Sequence, residues 1–133
     1  MEKKIKHQEA NFLTNTFLPW VRKNMKESFA FEAKTTRGKD SFLFSAMEPH
    51  QVINLHNASH GIFAHKISDS GIRGKLPFDG FVFYHSPAYV VIEYPRFWCM
   101  VDIDIFENEE RTSVRRSIKD CRAMQIASVV IDK

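Results

Sequence analysis

The sequence predicts an α/β fold: a single domain over residues 1–133, built on one mixed β-sheet flanked by helices. Two patterns and one count carry that expectation. Stretches with apolar residues at helical spacing alternate with stretches of two-residue period, and Val90-Val91-Ile92 is apolar enough for a central strand. The chain has 133 residues, 44% of them hydrophobic. That length suits one compact unit, in which roughly two-thirds of the extended chain's surface can be buried. With 12 Phe, 2 Trp and 3 Tyr to fill it, the core needs no disulfide or structural metal.

The first element is a helix from Gln8 to Met25, with Phe12, Leu13, Thr16, Phe17 and Trp20 on one face and an interruption at Pro19. Residues 28–36 follow as a strand: Phe29, Phe31 and Ala33 alternate with Ser28, Ala30, Glu32 and Lys34, so Glu32 and Lys34 project together. Thr36 to Asp40 is a turn and Phe42 to Phe44 a short extended piece. Ser45-Ala-Met-Glu48 has the form of a capping box, opening a helix that closes at His60-Gly61. Ile62 to Ile67 is a strand and Ser68 to Lys75 a polar loop. Phe78 to Tyr84 and Ala88 to Tyr94 are two strands joined by His85-Ser-Pro87. Phe97 to Ile103 adds a further strand. Asp104 caps a short helix through Glu110, and Ser117 with Asp120 caps a last helix carrying Ile118, Cys121, Met124 and Ile126.

Two cysteines, Cys99 and Cys121, are too few for a disulfide framework and lack zinc or redox spacing, so a reducing, cytoplasmic setting is expected. No apolar run approaches the length of a membrane span, and MEKKIKHQEANF has no apolar stretch behind its basic start. A net charge of +3 is compatible with a nucleic-acid partner without demanding one. The chain contains no Gly-rich phosphate loop, serine nucleophile elbow or dinucleotide fingerprint.

The sharpest chemical signal is Phe31-Glu32-Ala33-Lys34, a carboxylate and an ammonium two positions apart on one side of a strand. A metal-dependent phosphodiesterase uses that pair: the carboxylate holds Mg²⁺, and the lysine orients an attacking water and offsets phosphate charge. On its own the same pattern is an ordinary solvated ion pair.

Context adds to it. The run FEAKTTRGKDSFLFSAMEPHQ resembles the nuclease core of bacterial and phage Holliday-junction resolvases of the PD-(D/E)xK superfamily, in which an E-x-K strand is followed by a polar turn, a short apolar piece and a helix opening with His-Gln. Here those are Glu32-Ala-Lys34, Phe42-Leu-Phe-Ser45 and His50-Gln51. The later runs AHKISDSGIRGKLPFDGF, AYVVIEYPRFWCMVDID and RRSIKDCRAMQIA are similar to segments of small resolvase-like phage proteins. The resemblance implies a restriction-endonuclease-like sheet and a Mg²⁺ or Mn²⁺ cofactor.

One departure matters. The superfamily supplies an Asp on the strand before E-x-K, yet no Asp stands between Met1 and Phe31. Asp79, in Pro77-Phe-Asp79, is the replacement that the resemblance suggests, although Pro95 stands where the matching lysine would be. The resemblance also implies Glu9, on the first helix, as a ligand. The expected metal set is therefore Glu9, Glu32 and Asp79, with Lys34 and Gln51 completing the catalytic group. Grouped carboxylates of this kind repel unless a cation compensates them. Glu9 reads equally as an acid at a helix start, and Asp79 as a turn residue.

Arg37 and Lys39 beyond the strand, and Lys66, Arg73 and Lys75 around the polar loop, are the expected phosphate contacts to duplex or branched DNA. Arg111, Arg115, Arg116, Lys119 and Arg122 form a second basic cluster, equally an ordinary helix face. His56 and His60 are four apart, but no Glu follows His56, and both read as surface residues.

The expected function is a structure-selective, Mg²⁺-dependent endonuclease of the resolvase type. A homodimer is expected because two cuts across a junction need two sites. The alternative is a nuclease-fold protein without catalysis that binds nucleic acid or inhibits a host factor.

Overall fold

The structure, a computed structural model, describes residues 2–68 and 77–133. It is mixed α/β with a mixed sheet, as the periodicities predict. The main sheet runs β1-β5-β6-β8, formed by Ala30–Thr35, Ala88–Glu93, Phe97–Asp102 and Val129–Asp132. β1 pairs parallel to β5, whereas β5–β6 and β6–β8 are antiparallel. Val90, Val91 and Ile92 are completely buried because β5 is flanked by β1 and β6 and covered on both faces.

The two faces of the sheet build two cores. Val91, Trp98 and Met100 point to one side, where Phe12 and Phe17 meet them from α1 (Glu2–Phe12) and the π-helical stretch Leu13–Phe17. Trp98 receives Phe17 edge-on at 5.5 Å and Trp20 at 5.0 Å, the geometry the ring quadrupoles favour. Val90, Ile92, Cys99 and Val101 point to the other side, against Leu55 and Ala58 of α3 (Pro49–His60) and Phe106 of α4 (Ile103–Thr112).

The interruption expected at Pro19 is a widened turn rather than a break. Leu18 N–H donates to Leu13 O, a bond reaching five residues back, and α2 (Leu18–Asn24) continues with Pro19 in its first turn. The wider turn accommodates a residue that has no N–H and whose ring crowds the carbonyl four residues earlier.

Several expectations are corrected. The box that opens α3 is Glu48 with Gln51, not Ser45 with Glu48; residues 44–46 form a 3₁₀ turn instead. The α4 cap is Asp102, whose Oδ1 accepts Asp104 N–H at 2.9 Å. Gly80–Tyr84 (β4) does not pair with β5; it folds back on Ile62–Lys66 (β3) as a separate antiparallel hairpin. A Cβ at Gly80 would lie 2.2 Å from His65 O, so this close crossing admits only glycine. Ser117–Lys119 (β7) is a strand, paired with Ser41–Leu43 (β2), and α5 begins only at Asp120, ending at Ile126. β8 was not expected at all. Among the described residues no helix is long and apolar enough to cross a membrane.

Candidate functional site

β1 is an edge strand of the main sheet, and its two-residue period divides its side chains as the sequence predicts. Phe31 and Ala33 pack into the core beneath α1 and α2, while Ala30 packs on the opposite core. Glu32 and Lys34 share Ala30's side of the strand. Glu32 Oε1 lies 3.6 Å from Lys34 Nζ, with the lysine the more enclosed of the two, at 14% against 33% exposed.

Gln51 joins this pair from the first turn of α3. Its Oε1 accepts the backbone N–H of Glu48 at 3.0 Å, and its Nε2 donates to Glu32 Oε1 at 2.9 Å. The amide thus uses one end to start the helix and the other to hold the carboxylate, which fixes its orientation. His50, the neighbouring residue, is exposed and pairs with Glu48 at 3.2 Å. Both contacts to Glu32 fall on Oε1, so its second oxygen is engaged by neither.

Burial is the main influence on the Glu32 carboxyl and pushes it above its ordinary range; Lys34 pulls it down, and the nearby charge of Glu9 pushes it up again. Glu9, half-buried on α1, is therefore in electrostatic reach of Glu32. Asp79 is placed differently. It is exposed just ahead of β4, where its backbone carbonyl accepts Ile67 N–H at 2.8 Å. It does not line the cleft beside Glu32, and among the described residues no compact set of three His, Cys, Asp or Glu donors includes it, Glu9 or Glu32.

That cleft has a volume of about 400 Å³ and runs between β1, α3 and the β3–β4 hairpin. Glu32, His50, Gln51 and Asn54 supply its polar groups, and Leu55, Phe63, Phe81 and Phe83 its apolar wall. A partly desolvated carboxylate with a lysine and an amide on one oxygen, beside an apolar trough, is an arrangement able to position a charged ligand.

Arg37 and Lys39 are exposed in the turn that continues β1 beyond Lys34, and they line a second, smaller depression with Thr35 and Ser41. Arg37 and Gly38 both have left-handed backbone, with φ of 60° and 79°, which turns the chain sharply after Thr36. Lys66 is exposed at the end of β3. Arg73 and Lys75 lie outside the described residues. In the second basic cluster Arg122 is committed to Glu109, through Nε at 2.8 Å and a second guanidinium nitrogen at 3.0 Å.

The structure also brings together a grouping from two helices that are distant in sequence. His56 and His60 face α4, where His56 Nδ1 meets Glu107 Oε1 at 2.7 Å and His60 Nε2 meets Asp104 Oδ1 at 2.5 Å. The four-residue spacing of the histidines was visible, but the acids that complete the group stand more than forty positions downstream. Comparison of the chain with protein-family models, with curated proteins and with solved structures finds no match.

Proposed function

We propose that this protein is a metal-dependent endonuclease of the resolvase type, with a restriction-endonuclease-like sheet, that cuts phosphodiester bonds in branched DNA as a homodimer. The observation supporting this most is the convergence of Lys34 and Gln51 on one oxygen of Glu32 at the polar end of a cleft. The donor set fits Mg²⁺ or Mn²⁺: such an ion needs only one or two protein carboxylates, the remaining positions going to water and phosphate. Glu32 supplies one such carboxylate and Glu9, whose charge reaches it, is the proposed second; Asp79 is then the least supported of the three expected ligands. When bound, the ion supplies stabilisation of charge on the transferring phosphoryl group.

The chain's own residues do the rest. Gln51 holds the Glu32 carboxylate in place from a rigid helix start. Lys34, largely enclosed and paired with Glu32, offsets phosphate charge and orients an attacking water. Arg37 and Lys39, at the end of the same strand, are placed to contact the DNA backbone without reading its sequence.

Cleavage of synthetic four-way junctions in Mg²⁺ tests this reading. Glu32→Ala and Lys34→Ala are each expected to abolish cutting while DNA affinity is kept; undiminished cutting by both variants overturns it. The second reading, a nuclease-fold binder without catalysis, is favoured by the exposure of Asp79 outside the cleft. It expects junction binding with no cleavage in either Mg²⁺ or Mn²⁺.

A further inference from the structure

We propose that His56, His60 and Asp104 form a second cation site between α3 and α4, of a chemistry suited to Zn²⁺ rather than Mg²⁺. The histidines stand one turn apart on α3, with their rings stacked at 4.6 Å. Asp104 faces them from the first turn of α4. One donor atom from each of the three lies within 4.8 Å of the other two. A tetrahedral ion with bonds of about 2.0–2.2 Å keeps its donors about 3.3–3.6 Å apart, so adjustment of side chains brings these three onto one ion.

Glu107, one turn beyond Asp104, is outside the three-donor set but pairs with His56 Nδ1 at 2.7 Å. That is how a carboxylate orients a ligating imidazole from behind, fixing which nitrogen is presented to the metal. All three donors are about half exposed, which leaves the fourth position open to water. Two imidazoles and a carboxylate select Zn²⁺ or a similar borderline ion, since Mg²⁺ prefers an all-oxygen shell.

The grouping is separate from the proposed nuclease site. Gln51, Asn54, Leu55 and Ala58 turn one side of α3 to the cleft, while His56 and His60 turn another to α4. An ion there ties the two helices together and stabilises the fold by mass action.

The experiment is titration of the full-length, untagged protein with Zn²⁺ by calorimetry and with Co²⁺ by visible absorption, alongside thermal unfolding with and without Zn²⁺. One equivalent of each ion is expected to bind, with cobalt ligand-field bands and a raised midpoint. His56→Ala/His60→Ala is expected to remove all three signals, Asp104→Asn to weaken binding at least tenfold, and Glu107→Gln by about 10–100-fold. Alanine is tolerated at these exposed helical positions, so loss in the double variant is not loss of folding. Absence of one-equivalent binding overturns the proposal, leaving only histidine–carboxylate ion pairs; so does unchanged Zn²⁺ affinity in the double variant. Glu32→Ala is expected to keep the Zn²⁺ signal, which separates failure of this site from failure of the nuclease reading.

Discussion

Glu32 is held in the fold at a cost. Its carboxyl is raised above the ordinary carboxylate range, chiefly by burial, so the folded chain retains the proton more strongly than the unfolded chain. Stability is therefore greatest below the unfolded value and falls as pH climbs from there through the folded value. Glu32→Gln keeps the shape and removes the titration. It is expected to be more stable than the parent at pH about 7 and equal to it well below the carboxylate range, as read from urea midpoints at both. A less stable Glu32→Gln at neutral pH would mean that the Lys34 contact outweighs desolvation. The side-by-side projection of Glu32 and Lys34 was legible because it follows from strand period alone. Gln51's bond to Glu32 was not, since it depends on how α3 docks on β1.

Among the elements, helix starts show what sequence leaves ambiguous. Asp102 and Asp104 both stand near the beginning of α4, and a capping residue is recognised by composition, not by which of two neighbours has extended backbone. β6 decides the matter by holding Asp102 as its last residue, in a non-helical conformation with a free carboxylate oxygen for Asp104 N–H. Asp102→Ala is expected to cost about 0.5–2 kcal/mol and Asp102→Asn to recover most of it, measured by chemical denaturation. Strand partners were harder still. Joining residues 78–84 to 88–94 through a short polar connection was reasonable locally, but His85, with φ of 47°, turns the chain between two different sheets. The terminal strand is not legible in the sequence because Val129 to Asp132 is too short to show a period, and its place is set by pairing with β6.

For the molecule as a whole, the mixed α/β class was readable from alternating periods, whereas the strand order and the pairing of β2 with β7 depend on contacts distant in sequence. The two cysteines sample opposite extremes of this arrangement. Cys121 is exposed, while Cys99 is sealed within β6 and its thiol is pushed up to about 12 by burial. A thiol reagent at neutral pH is expected to modify Cys121 in the native protein and to reach Cys99 only at the rate of global unfolding, which mass spectrometry of quenched samples resolves. Rapid native labelling of Cys99 would show that the sheet opens locally.

The parallel pairing of β1 with β5 also bears on how the protein is made. During synthesis the strand that carries Glu32 emerges long before its neighbour, and it has nothing in the main sheet to join until the ribosome has released residues 88–93. The nascent chain therefore carries Glu32 and Lys34 on a strand without its sheet partner through much of translation, and their place in the fold is completed only when the far half of the polypeptide arrives.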